Sequence, residues 1–219
     1  MVIGGNGSGK TTFSVKLAEL TSLPLTHLDR LFWRDNWQRV PREEFDAALA
    51  AVLSGDQWVI DGNFLRTIPV RMKCADTVIW FDFPAILCFF GVTERFFKNY
   101  GRSRDDMGGY CPERLDREKL SFLFSVFRFN KTNRPQIRAA LAENPGVKLV
   151  VFKNRRQADR FLASLAQEAA SGREESSGRE EIRGGEEKGG REENSAGEET
   201  RKSKTENGKK ERSDGSQRA

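Results

Sequence analysis

The chain has 219 residues, 37 lysines and arginines against 32 aspartates and glutamates, a net charge of +5, and 37% hydrophobic residues. Cys74, Cys88 and Cys111 are scattered without C-x-x-C spacing, which argues against a zinc site and for a reducing compartment. The longest apolar run, 83–92, is too short to cross a bilayer and contains Pro84, so a soluble, cytoplasmic protein without a membrane role is expected.

Two unlike parts follow one another. Residues 1–170 hold all four tryptophans and have the size of one domain. Residues 171–219 are Gly, Ser, Glu, Lys and Arg with a single branched aliphatic, Ile182. Such a segment buries too little apolar surface to offset its ordering entropy and is expected to be disordered. Its 12 basic and 13 acidic residues nearly cancel, so it does not read as a nucleic-acid arm.

The first element is a strand ending at "VIGGNGSGKTTF" (2–13). Only three residues precede Gly4, fewer than the five or six of a typical strand, so the strand is either short or begun upstream. The stretch fits G-x-x-x-x-G-K-[ST] with Gly4, Gly9, Lys10 and Thr11. Glycines let successive backbone N–H groups curl into an anion nest, and the following helix adds its positive end. Gly7, Ser8, Gly9, Lys10, Thr11 and Thr12 are therefore candidates to hold ATP phosphates. Lys10 can reach a β/γ-phosphate, and the Thr11 hydroxyl can complete a Mg2+ shell. The helix carries Phe13, Leu17 and Leu20 and stops before Pro24.

"LPLTHLD" (23–29) reads as a short strand ending in Asp29, with His27 a packed residue. "RLFWRDNWQRV" is too irregular for one element, and Trp33 and Trp37 either stack on a base or cover a helix. A helix opens at Pro41, lines one face with Phe45, Leu49 and Val52, and ends at Gly55. "QWVID" (57–61) is a buried strand with Asp61 at its carboxyl end. "TVIWFDF" (77–83) is another, followed by a helix from Pro84 to about Tyr100. Residues 101–116 form a glycine-rich charged loop. "REKLSFLFSVFRFN" is helical, and a second helix is expected to begin near Pro135. "VKLVVF" (147–152) is the last strand, and a helix with Ala158, Phe161, Leu162 and Leu165 on one face closes the body.

Strands alternating with helices imply an α/β fold with a parallel sheet, which binds ligands outside the carboxyl ends of its strands. The loop 4–11, Asp29 and Asp61 converge there. Asp61 is placed to hold Mg2+, though an Asp-Gly pair also caps ordinary turns. Asp29 suits a second metal ligand, a substrate ligand or a base for an acceptor hydroxyl. Arginines of the segment 101–138, with Arg102, Arg104 and Arg134 foremost, suit neutralisation of a transferring phosphoryl group, in a loop that closes over the site.

"GGNGSGKTT", "HLDRLFWRDNW", "VIDGNFLRT" and "RSRDDMGGYCPERLD" followed by "NRPQI" resemble the bacterial topology modulation proteins of the FlaR type, relatives of adenylate kinase, over about residues 1–165. That resemblance implies a P-loop NTPase three-layer fold with a five-stranded parallel sheet, a substrate-side segment near 30–55 and a mobile lid near 101–117. "VIDGNFLRT" is similar to the adenylate kinase Asp-Gly-Phe-Pro-Arg segment: Asp61 and Gly62 match, and the arginine falls one place late at Arg66. The reading is an ATP- and Mg2+-dependent phosphotransferase of a nucleotide, nucleoside or other small molecule. Its acceptor would lie between Asp29, Arg34, Asn63 and Arg66, with adenine near Asn154 and Arg155. A monomer or homodimer is expected. The alternatives are an ATP-binding regulator of DNA topology or nucleic acid, and a nucleotide switch. The first is weakened because the basic excess clusters in the expected lid. The second is weakened because "NKTN" (130–133) misses N-K-x-D.

Overall fold

A computed structural model of the chain describes residues 1–186. By compactness the chain divides into two units, 1–174 and 175–219. Of the second, only the helical residues to Glu186 are described, and most of the segment expected to lack structure lies outside the described residues.

The described residues form an α/β fold. Its strands and helices run β1 Val2–Gly4, α1 Lys10–Thr21, β2 Leu25–His27, α2 Leu28–Phe32, β3 Trp33–Arg34, β4 Gln38–Arg39, α3 Arg42–Leu53 and β5 Val59–Asp61. After these come α4 Ile68–Cys74, β6 Thr77–Phe81, α5 Ala85–Lys98, α6 Arg117–Ala142, β7 Lys148–Phe152 and α7 Arg155–Glu186. Five strands form one all-parallel sheet in the order β2-β5-β1-β6-β7, and β3 and β4 make a small antiparallel pair.

Alternation along the strands sorts side chains to two faces. Val2, Ile79 and Phe81 point to one core, closed by Phe13 of α1, Val92 of α5 and Leu162 of α7. Met1, Ile3, Val78 and Trp80 point to the other, closed by Met72 of α4 and Ile137 of α6. Helices on both faces explain why β1 and β6 read as continuous apolar runs. A third cluster, Leu28, Val40, Phe45, Leu49 and Ile60, holds α3 against β5.

Two sequence expectations change, and a third is filled in. β2 ends at His27, and Asp29 sits in the first turn of α2 rather than at the end of a strand. The chain turns there because Leu28 is fully buried beneath α3, where a continuing strand could not carry it. The break expected near Pro135 is absent: α6 is continuous from Arg117 to Ala142. Val126 and Phe129 before the proline and Ile137 and Ala140 after it are all buried, and that burial offsets the one hydrogen bond proline removes. The irregular stretch after Asp29 resolves into α2, the β3–β4 pair and a short turn with Asn36 and Trp37 at positive φ (56° and 60°).

β1 is the central strand. The chain leaves it toward β2 on one side, and β6 and β7 lie on the other, so the order reverses at its carboxyl end. That reversal opens a crevice in open α/β sheets.

Candidate active site

The loop from Gly5 to Gly9 leaves β1 and curls into α1, with the Ser8 N–H on the Gly5 carbonyl (3.2 Å) and the Phe13 N–H on the Gly9 carbonyl (3.0 Å). Gly7 has φ +81°, and a Cβ there would sit 2.3 Å from the Cys88 carbonyl oxygen and 2.6 Å from the Val92 nitrogen. Only glycine fits between this loop and α5. Gly9 caps α1 at φ 92° with no side-chain cap, and no acidic residue occupies the first turn. The amide donors at this end are left for an external anion.

Lys10 is buried and folds back over the loop, its Nζ donating to the Gly5 carbonyl at 2.9 Å. Burial lowers its pKa, while the nearby Asp61 carboxylate pulls it back up. Ser8 Oγ is buried without a partner among the described residues. Asp61 ends β5 in register with His27 of β2, and His27 Nδ1 lies 3.1 Å from Asp61 Oδ2. Asp61 Oδ1 is buried with no hydrogen-bond partner among the described residues. His27 is therefore packed, as the sequence suggests, but packed onto the carboxylate of the site.

These groups line a cavity of about 1440 Å3 over the carboxyl edge of the sheet. Ordinary ligand pockets run to about 1000 Å3, so this one has room for two ligands. Gly7, Ser8, Gly9, Thr11 and Thr12 line it, as do Asp29 and Asn63. Asp29 is open to the cavity, with 40% of its side chain exposed. The surrounding protein raises its pKa, helped by Asp106 and Asp61 and opposed by Arg104 and Lys10. Asn63 is in the wall, but its Oδ1 accepts the Gly4 N–H at 2.9 Å and so braces the loop. Arg71, buried in α4, holds the adjoining segment by donating to Thr67 Oγ1 and to the Gly62 and Asn63 carbonyls. Burial lowers its pKa to about 10.

The arginines divide. Arg104 reaches the cavity from the loop 101–116, on Asp106 at 2.9 Å, with Asp29 at 3.9 Å and Glu113 at 3.7 Å. Arg34, Arg66, Arg102 and Arg134 do not line it. Arg34 is held by Glu44 at 2.5 Å and Arg66 by Asp46 at 2.5 Å, both on α3. Arg134 pairs with buried Asp82 at 2.5 Å, beside Lys153 on the same carboxylate. Arg95 was missed by the sequence reading. It projects from α5 into the cavity, and its buried Nε has no hydrogen-bond partner among the described residues. Burial and neighbouring Arg104 lower its pKa. The available signal was Gly91, one turn earlier in an apolar helix: a Cβ there would lie 2.0 Å from the Gly7 carbonyl oxygen, so α5 touches the loop on that face.

The expected lid is docked on the substrate-side segment. Asn36 N–H donates to the Tyr110 carbonyl (2.9 Å), the Tyr110 N–H to Asp35 Oδ1 (2.6 Å), and Trp37 Nε1 to the Pro112 carbonyl (3.1 Å). Trp37 thus fastens the lid and does not line the cavity.

Among the described residues no cluster of three or more His, Cys, Asp or Glu side chains could hold a metal alone. The residues instead fit a metal carried by phosphates, with Thr11 and the unpartnered Asp61 Oδ1 as protein ligands and the glycine cradle as phosphate site. No family model matches the chain, and no curated protein does. Among solved structures the chain is similar to a Chloroflexus aurantiacus j-10-fl protein described as a "putative kinase", at 16% identity and a TM-score of 0.41. The likeness covers 76% of this chain and 96% of that one.

Proposed function

We propose that the chain is an ATP- and Mg2+-dependent phosphotransferase acting on a small molecule, with a P-loop core. One observation carries this reading: the glycine cradle, buried Lys10 and the unsatisfied Asp61 oxygen meet at the strand-order reversal, in a cavity with room for two ligands. Mg2+-ATP would supply the transferable phosphoryl group. Residues 7–12 would hold its phosphates through backbone donors, with the Thr11 hydroxyl and Asp61 as ligands of the metal. Burial lowers the Lys10 pKa and the Asp61 carboxylate opposes that shift, and a bound polyanion would favour the charged form further. Arg95 and Arg104 face the transferring group from α5 and the lid, where guanidinium forks neutralise charge on equatorial oxygens. Arg155 and Leu162 of α7 border the β7 side of the cavity, where the nucleoside would rest. The loop 101–116, closed over bound substrates, would exclude water from the reacting centre.

The test is ADP production from Mg2+-ATP with a mixture of nucleotides, nucleosides and hydroxylated metabolites, by the full chain and by Lys10→Ala. Acceptor-stimulated turnover that the variant loses is the expected result. Turnover indifferent to every acceptor, or equal in the variant, would refute the reading.

A further inference from the structure

We propose that two copies of the chain associate through the outer faces of α5 and α6, as an isologous dimer. The interface is independent of the phosphotransferase reading above. α5 and α6 form an antiparallel pair. The Phe89 and Phe127 ring centroids are 5.0 Å apart, and Lys119 Nζ, near the start of α6, lies 5.2 Å from the centre of the Phe96 ring near the end of α5. One face of each helix enters the same core, through Cys88, Val92 and Val126. A helix at the surface of a globular protein ordinarily carries polar residues on its opposite face. Here that face is apolar on both helices. Ile86, Phe90 and Phe97 recur at helical spacing on α5, and Leu120, Phe124 and Phe127 on α6, and all six are exposed.

The size of this face decides what covers it. Phe97 and Phe124 are each 73% exposed, Phe90 61% and Phe127 46%. At about 150–250 Å2 for a whole aromatic side chain, those four residues leave roughly 400–600 Å2 of apolar surface open. That matches the largest patch of a typical monomer, about 300–600 Å2, before Ile86 and Leu120 are added. A stable complex covers about 800 Å2 on each partner, and this face with its rim is of that order. Its composition, aromatic and free of charge along both stripes, is that of an interface core.

A second copy fits the face. An antiparallel helix pair with an apolar outer surface is half of a four-helix bundle, and a two-fold rotation lays an identical pair upon it. Residues 171–219 lack the matching counter-surface, since they hold no aromatic residue and one branched aliphatic, Ile182.

The test is sedimentation equilibrium of the full chain from about 1 to 100 µM, a range that resolves micromolar association. Wild type should show a reversible monomer–dimer equilibrium with a micromolar or tighter Kd. Phe90→Glu combined with Phe124→Glu should sediment as the 24.8 kDa monomer while keeping the far-ultraviolet circular dichroism of wild type. Phe97→Glu alone should weaken association at least about tenfold, and it carries the test if the double variant does not fold. A wild type that stays monomeric throughout the range would overturn the assignment. So would a dimer that folded variants leave intact, which would place the interface on another face. Flotation of wild type with phosphatidylcholine–phosphatidylglycerol vesicles, lost in the variants, would overturn it in favour of a membrane surface.

Discussion

Replacing Arg134 and Arg95 separately by methionine should have opposite consequences. Arg134 is 33% exposed at its side chain and pairs with Asp82, which is 2% exposed and also receives Lys153. A hydrogen bond to a charged group contributes about 1.5–3 kcal/mol. Solvent recovers part of the arginine's loss, and Lys153 still satisfies the carboxylate, so Arg134→Met should cost about 1–2 kcal/mol. For a chain of this size that is a fall in melting temperature of roughly 2–8 °C. ATP turnover should stay within about twofold of wild type once the protein is folded. Arg95 is the reverse case. Its buried Nε has no partner, so Arg95→Met should leave stability unchanged or raise it. Turnover should fall at least about a hundredfold, the usual loss on removing a group that neutralises transition-state charge. Thermal melts and coupled ADP-release assays on the two variants decide the matter. A folded Arg134→Met protein without turnover, beside an active Arg95→Met protein, would refute the division of the arginines.

Other perturbations are as specific. Gly91→Ala would gain about 1 kcal/mol in an isolated helix, but its Cβ would lie 2.0 Å from the Gly7 carbonyl oxygen, so the variant should lose stability in thermal melts and nucleotide binding by calorimetry; unaltered binding would sink the proposed contact between α5 and the loop. Asp29 is held above its ordinary value of 3.8. The folded chain therefore binds that proton more tightly than the unfolded chain, and stability falls as pH rises through the raised folded value. Asp29→Asn removes that loss, so its melting temperature should exceed wild type at neutral pH and converge with it near pH 4 or below, the ordinary carboxylate range; parallel melting curves across that range would contradict the assignment. Trp37→Phe removes the donor to the Pro112 carbonyl, weakening the lid's hold by about 1 kcal/mol. Limited proteolysis should then cut within 101–116 several times faster than in wild type, and an equal rate would mean the bond is dispensable.

The parts of the site legible in the sequence are those whose chemistry is contiguous. The motif G-x-x-x-x-G-K-[ST] keeps its glycines, lysine and hydroxyl in a fixed short order, so Gly7 to Thr12 were candidates from the sequence alone, as was Asp61 at the end of an apolar strand, and the structure brings them to one cavity. Residues assembled by tertiary packing were harder. Nothing near Arg34 or Arg66 in sequence announces Glu44 or Asp46, ten and twenty residues earlier or later, as the partners that hold them outside the cavity. Arg134 looked free because its partner, Asp82, lies at the end of a distant strand. Arg95 looked like one more surface arginine, since only contact between α5 and the loop turns its helix face to the cavity. The strand expected through Asp29 failed because alternation over seven residues does not show that Leu28 must turn under α3. The sheet itself was readable, since β5, β6 and β7 are short apolar runs separated by helical periods, and the break expected at Pro135 was not, because burial on both sides carries the helix through.

The most direct test of the phosphate site is calorimetric titration of the full chain with ATP in excess Mg2+, repeated on Lys10→Ala and Gly7→Ala. Saturable one-to-one binding by wild type, weakened at least tenfold in Lys10→Ala and lost in Gly7→Ala, is the predicted result. No binding by wild type, or equal binding by all three proteins, would contradict it.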